Sequence, residues 1–178
     1  MRIIAGRLKG RIFSSPSGQR THPMSDKIRG ALFNALGDIA GLTVLDPFAG
    51  SGALSFEAIS RGAKSALAID SDPAAQRAIA ENMRALGLAD AVKLINANAN
   101  AWLKTSSETF DLVLCDPPYD SLQQDLLEKL AERAKIGGLI IYSLPPKANF
   151  ALPTNYQPLS TKSYGDAQLV FYRRTSVK

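Results

Sequence analysis

Leu42-Thr43-Val44-Leu45-Asp46-Pro47-Phe48-Ala49-Gly50-Ser51-Gly52 reads as a short apolar strand running into a glycine loop. Ala53-Leu54-Ser55-Phe56-Glu57-Ala58-Ile59 follows with helical spacing and stops at Arg61-Gly62. Glycines in a strand–loop–helix unit let the backbone turn tightly and approach a ligand closely. A dinucleotide fingerprint would carry a third glycine three residues after Gly52, but position 55 is Ser. The pattern therefore speaks for ligand binding at a strand end and against a nicotinamide-dependent oxidoreductase. The plainer alternative is an ordinary strand-to-helix turn. Ala66-Leu67-Ala68-Ile69 reads as the next strand and ends in Asp70-Ser71-Asp72. Asp70 lies about 20 residues past the loop, the distance at which an acid accepts hydrogen bonds from ribose hydroxyls. Asp72, before Pro73, reads as a helix N-cap.

A second stretch adds chemistry. Phe110-Asp111-Leu112-Val113-Leu114-Cys115 is an apolar strand that runs into Asp116-Pro117-Pro118-Tyr119. Two prolines cannot donate to a sheet ladder and force the chain out of it. Asp116 thus stands at a strand's carboxyl end, where open α/β sheets place their ligands. The Asp116 carboxylate and the Pro117 carbonyl can each accept one N–H of an exocyclic amine, while Tyr119 stacks on a flat base. A rigid turn with Tyr119 packed in the core is the alternative.

These elements, in this order and spacing, resemble class I S-adenosylmethionine-dependent methyltransferases. The opening of the chain narrows the resemblance. Met1-Arg2-Ile3-Ile4-Ala5-Gly6, Lys9-Gly10-Arg11, Ser25-Asp26-Lys27-Ile28-Arg29 and Ala31-Leu32-Phe33-Asn34 are similar to the start of the RsmD-like family, bacterial 16S rRNA (guanine-N2)-methyltransferases; Tyr164-Gly165-Asp166 is similar as well. The resemblance implies a Rossmann-like α/β fold with a mostly parallel seven-stranded sheet, an antiparallel last strand and a small N-terminal β-hairpin. It implies S-adenosylmethionine as cofactor, with Asp46, Phe48, Ala49, Gly50 and Gly52 at its methionine end, Asp70 at the ribose and Asn98 at the adenine amine. It also implies Asp116, Pro117 and Tyr119 at the reacting base, and small-subunit rRNA or the 30S subunit as partner.

Composition agrees. The 178 residues are one domain's worth, read as a hairpin extension and loop over 1–23 and a catalytic core over 24–178. No apolar stretch is long enough to span a membrane and no signal-peptide pattern is present. Cys115 is the single cysteine, which fits a reducing cytoplasm and, inside an apolar strand, a packing role. One His and one Cys argue against a structural zinc site. A monomer is the default expectation. Residues 1–29 carry Arg2, Arg7, Lys9, Arg11, Arg20, Lys27 and Arg29 against Asp26 alone, a net +6 in a chain of net +5. The remainder is nearly neutral, so the basic segment is an electrostatic footprint for a polyanion. Arg2, Arg7, Lys9, Arg11 and Arg20 are its candidate RNA-binding residues. A solvated basic tail would lack the alternating Ile3-Ile4, Leu8 and Ile12-Phe13.

The coarse organisation places a hairpin over 2–13, a loop over 14–23, and a helix from Ser25 to about Ala35 that stops at Gly37. Strands near 43–47, 65–69, 91–95, 110–115 and 138–143 alternate with helices near 52–61, 73–86, 99–104 and 121–134, which implies a parallel sheet covered on both faces. Segments 156–162 and 167–173 leave no room for a helix and form an antiparallel hairpin at one edge. Three places depart from the family pattern: His22-Pro23-Met24 near the methionine end, Asn96-Ala97-Asn98 in place of an acid, and Tyr142-Ser143-Leu144 in place of an acidic strand end. A DNA adenine-N6 methyltransferase uses the same chemistry but adds a target-recognition region for which there is little space. A non-catalytic RNA-binding assembly factor is a further alternative.

Overall fold

Ser25 accepts a hydrogen bond from the Ile28 amide and starts α1 (Asp26–Leu36), and Gly37 ends it, as the sequence predicts. The computed structural model describes residues 1–17 and 23–176; Arg20 and His22 lie outside the described residues. Seven strands follow: β1 (Thr43–Asp46), β2 (Ser65–Asp70), β3 (Val92–Asn96), β4 (Phe110–Cys115), β5 (Ala134–Leu144), β6 (Tyr156–Ser163) and β7 (Gln168–Arg174). The helices between them are α2 (Ala53–Ser60), α3 (Pro73–Leu86), α4 (Ala99–Thr105) and α5 (Gln124–Ala131). Asp72 caps α3 through the Ala74 amide, as expected.

The strands form one sheet in the order β3-β2-β1-β4-β5-β7-β6. β1 to β5 are parallel to their neighbours, and β7 runs antiparallel between β5 and β6. From β1 the chain builds outward through β2 and β3, then returns to place β4 on β1's other side. This reversal of direction opens a crevice at the carboxyl ends of β1 and β4.

Strand alternation divides the core between the two faces. Val44, Leu112, Leu114 and Ile141 face one cluster, which holds Leu32 and Phe33 of α1, Phe56 of α2 and Ile79 of α3. Leu45, Val113, Cys115, Ile140 and Tyr142 face the other, with Trp102 of α4 and Leu127 and Leu130 of α5.

Two expected elements differ. The hairpin over 2–13 is present but short: around the Arg2–Ile12 bridge the Ile3 amide donates to the Arg11 carbonyl at 2.9 Å, the Phe13 amide to the Met1 carbonyl at 3.0 Å and the Gly10 amide to the Ile3 carbonyl at 2.8 Å, without building a longer ladder. Its other backbone groups bond to α2: the Ile4 and Ala5 amides donate to Glu57 at 2.8 and 3.1 Å, the Leu8 amide to Ser60 Oγ at 2.9 Å, and the Arg7 amide to the Ser60 carbonyl at 2.8 Å. Gly6 permits this approach, since a Cβ there would lie 1.9 Å from the Ser60 carbonyl oxygen. The last helix is shorter than 121–134 because the chain enters β5 early, at Ala134 opposite Phe110. The ladder then slips by a bulge before Leu112 meets Leu139.

Glu57 is fully buried. Besides the two amides it accepts Arg61 Nε at 2.7 Å and faces Arg29 Nε at 3.9 Å. Arg29 is equally buried and donates to Asp26 at 2.8 Å and to the Arg2 carbonyl at 2.8 Å. A buried charge that loses its partner costs about 3–5 kcal/mol. Glu57→Ala is therefore expected to lower unfolding free energy by about that amount in a urea titration. Glu57→Gln, which keeps an acceptor for one amide, should lose less.

Candidate functional site

The carboxyl ends of β2 and β4 deliver Asp70 and Asp116 to the crevice, a cleft of about 1270 Å³. Phe48, Ala49 and Gly50 line it, as do Asp70, Asn98, Asp116, Pro117 and Tyr119. Candidate residues from separate segments of sequence are thus gathered in one place. Pro23 and Met24 line it too, so the segment before α1 reaches the glycine loop.

The loop is tied to β2. Ala49 donates to the Ile69 carbonyl at 3.0 Å, and the Gly50 amide donates to Asp70 Oδ2 at 2.7 Å. The other Asp70 oxygen accepts the Asp72 amide at 2.9 Å. Asp70 therefore shapes the loop, and each of its oxygens keeps a second lone pair for a ligand hydroxyl.

Asp46 and Gly52 are not in the lining. Asp46 is fully buried behind the loop, where Oδ2 accepts the Ser55 amide at 3.2 Å and the Ser55 hydroxyl at 2.8 Å. Its Oδ1 is buried with no hydrogen-bond partner. Burial pushes its pKa up to about 7, aided by the negative charges of Asp116 and Asp70 and opposed by Ser55. Gly52 has φ 82, and a Cβ there would strike the Phe56 ring at 2.5 Å. It lets the chain turn over that ring at the start of α2.

Asn98 lines the cleft, yet its side-chain oxygen accepts the Ala101 amide at 2.7 Å and caps α4. The oxygen expected at an adenine amine thus also holds the helix end; it keeps a second lone pair, and the side-chain NH₂ is a further donor.

Asp116 lies where β4 leaves the sheet. Burial raises its pKa to about 6, and the hydroxyl of Ser143 opposes that rise. Tyr119 is 38% exposed, and its hydroxyl is 2.9 Å from Ser143 Oγ. Ser143, one residue before the end of β5, lies beside Asp116, because Cys115 pairs with Tyr142 one residue earlier. Sequence reading gave Ser143 no role; that register is the signal that would have found it. Asp166 and Ala167, in the turn between β6 and β7, also border the cleft.

The basic segment is less uniform than its charge count. Arg29 is buried, with Asp26 and Glu57 beside it. Arg2 pairs with Asp26 at 3.0 Å with its side chain 68% exposed. Arg11 donates to the Ala85 carbonyl at 3.1 Å, and Arg7 and Lys9 are exposed. Glu57, Ser60 and Asn82 anchor this segment and were missed by sequence reasoning. Asn82 accepts the Ser14 amide at 3.0 Å and donates to the carbonyls of Ser14 and Ser51 at 2.8 and 3.5 Å. It thereby joins the arm to the glycine loop.

Among the described residues no cluster of three or more His, Cys, Asp or Glu could hold a metal ion, and no helix is long and apolar enough to cross a membrane. The cleft sets the carboxylates of Asp70 and Asp116, with Asp46 buried behind the loop, beside the apolar Phe48, Ala49 and Pro117. That donor set suits an elongated cationic ligand with a flat aromatic end.

The chain is similar to known proteins over almost its full length. The family model described as "Conserved hypothetical protein 95" matches residues 1–173. Ribosomal RNA small subunit methyltransferase D of Escherichia coli K12 is 30% identical, over 98% of this chain and 90% of the relative. The solved structure of the yhhF protein of Escherichia coli superposes with a TM-score of 0.88 at 30% identity, covering 98% of each chain. SMU.776, solved in complex with SAH, shares the fold at 18% identity and a TM-score of 0.69, covering 83% of this chain and 48% of its own. With those matches added to the geometry, the chain belongs to the Conserved hypothetical protein 95 family, the RsmD family whose opening motif its first residues resemble.

Proposed function

We propose that this protein transfers a methyl group from S-adenosylmethionine to the exocyclic N2 of a guanine in small-subunit rRNA. One observation carries the reading. Asp116, Pro117 and Tyr119 border the same cleft as the glycine loop, at the switch point of the sheet. The methyltransferase D names of the relatives support the class of substrate.

The residues present fit the cofactor. Asp46 holds a buried, unpartnered oxygen at the back of the loop, and Asp70 and Asp116 place two further carboxylates around the cleft. A sulfonium and an ammonium are the cationic groups such a floor favours. Phe48, Ala49 and Gly50 would hold its methionine end and Asp70 its ribose. Asn98 would meet the adenine with its NH₂, as a donor to a ring nitrogen. When bound, S-adenosylmethionine supplies an activated methyl on a positively charged sulfur.

The remaining task falls to the chain. The exocyclic amine of guanine is a poor nucleophile because its lone pair is delocalised into the ring. The Asp116 carboxylate and the Pro117 carbonyl accept its two N–H groups and leave the lone pair directed at the donor. Positive charge grows on the nitrogen during transfer, so an ionised Asp116 binds the transition state more tightly than the ground state. Tyr119 stacks on a base splayed out of the RNA. Arg2, Arg7, Lys9 and Arg11 lie on the arm packed against α2 and would meet phosphates.

Several measurements test this reading. Incubation with labelled S-adenosylmethionine should give N2-methylguanosine from unmethylated small subunits or their RNA; N6-methyladenine from duplex DNA in its place would overturn the reading. Asp116→Ala should lower kcat/KM by about 10²-fold or more while cofactor and RNA still bind. Undiminished transfer would remove the role given to the carboxylate. Because the active form is the ionised one, wild-type kcat/KM should fall as pH drops through about 6, the Asp116 value. Finally, Arg7→Ala with Lys9→Ala should weaken RNA binding and flatten its salt dependence by roughly one unit of slope per cation removed. An unchanged slope would place those cations outside the RNA footprint.

A further inference from the structure

The hydroxyl of Ser143 has a place in the site that the methyl-transfer chemistry above does not use. β5 is paired on both sides at this point, with Cys115 opposite Tyr142 on the β4 side and Leu169 opposite Ser143 on the β7 side. The Ser143 backbone is therefore fixed by the sheet, and the residue is only 2% exposed. A buried hydroxyl in such a place needs a partner. Its partner is Tyr119, 2.9 Å away.

Tyr119 is otherwise lightly held. It follows the prolines in a segment without helix or strand, where the Ser121 amide donates to the Pro118 carbonyl at 3.3 Å. Among the described residues its one side-chain hydrogen bond is to Ser143. The ring is pinned at its far end by a rigid strand and at its near end by Pro118.

The same hydroxyl stands beside Asp116. With the Tyr119 hydroxyl donating to Ser143, the Ser143 proton is left free to face the carboxylate. Asp116 and Ser143 each follow the paired residues Cys115 and Tyr142 and both line the cleft, and the Ser143 hydroxyl opposes the effect of burial on the carboxylate. The titratable neighbours of Asp116 are Asp46 from the adjoining β1, Cys115 directly before it on β4, Tyr119 from its own loop and, beyond Tyr119, Asp166. None of these is a cation, and Arg29, which also lines the cleft, is paired with Asp26 and Glu57.

We propose that Ser143 is a positioning residue of the methyl-transfer site, holding the Tyr119 ring at the angle that stacks the target base while its hydroxyl supports the ionised Asp116. The proposal rests on the methyltransferase reading given above. Ser143 lies one residue before the end of β5, and its hydroxyl serves both neighbours without adding a charge beside Asp116.

The test compares Ser143→Ala, Tyr119→Phe, the double variant and Ser143→Thr, using methyl transfer across pH and the ring signals of ¹³C-labelled tyrosine. Ser143→Ala should lower kcat/KM by about ten- to a hundredfold and move the acid limb to higher pH. Tyr119→Phe should lower kcat/KM comparably without that upward move, because it frees Ser143 to turn fully to Asp116. The double variant should be no worse than Ser143→Ala, since both changes break one contact. Ser143→Thr keeps the hydroxyl and should restore most activity, which separates the proposal from a general loss of folding. The Tyr119 ring signals should change in Ser143→Ala even without substrate.

A Ser143→Ala enzyme with wild-type kcat/KM and an unmoved acid limb would overturn the proposal. So would losses in the two single variants that add in full. Failure of the wild-type chain to transfer methyl would remove the methyltransferase reading, and the proposal with it; the tyrosine signals would then report only a structural contact.

Discussion

A single buried carboxylate organises the face of the molecule on which the glycine loop rests. Glu57 accepts two amides from the N-terminal arm and the guanidinium of Arg61, and it balances the buried Arg29. Isolated, that charge would be costly in a protein interior; surrounded by donors on all sides, it becomes a fixed knot between the arm, α1 and α2. The knot sets the arm's register, and the register brings Phe13 edge-on to Phe56 with ring centroids 5.4 Å apart. Phe56 is the ring over which Gly52 turns. Asn82 closes the circuit by bonding the arm at Ser14 and the loop at Ser51. The arm that carries the exposed cations and the loop that borders the cleft are thus parts of one packed unit.

What can be read in the sequence is whatever local physics decides. An apolar run that meets Asp-Pro-Pro must end a strand, so the position of Asp116 at the sheet's carboxyl edge follows from its immediate neighbours. The alternation of strands and helices gives the sheet its parallel body, and the lack of space between the last two segments gives the antiparallel hairpin. What escapes depends on contacts distant in sequence. Gly6, Gly10 and the alternating apolar residues point to a hairpin, but nothing local shows that α2 would take its amides. A charge count does not tell the buried Arg29 from the exposed Arg7 and Lys9. One miss has a local trace. Glu57 is the single charged residue in the Ala53–Ser60 helix, a sign of a buried partner. The capping role of Asn98 is legible too, since it directly precedes a helix.

The molecule separates its charges by task. Its overall balance is positive, yet the carboxylates of Asp70 and Asp116 line its cleft, with Asp46 buried behind the glycine loop. On the proposed reading each sign meets its opposite: the anionic floor takes a cationic cofactor, and the cationic arm takes a polyanionic substrate. The two carboxylates with raised pKa values sit near each other because both are buried, and their mutual repulsion adds to the Asp46 rise. A positive ligand relieves that repulsion. On the same reading a charged sulfonium would relieve it, and the neutral sulfur left after transfer would not.

The place of β7 bears on how the molecule comes into being. β7 is made after β6 but lies inside the sheet, between β5 and β6. During synthesis β6 emerges with no strand to pair with, and β5 waits with one edge open. Only the later arrival of residues 168–174 seals both edges. Leu169, the partner across from Ser143, belongs to that late strand. The wall of the cleft that holds Tyr119 is therefore finished last, and a nascent chain lacking β7 carries its sequence motifs without a completed site.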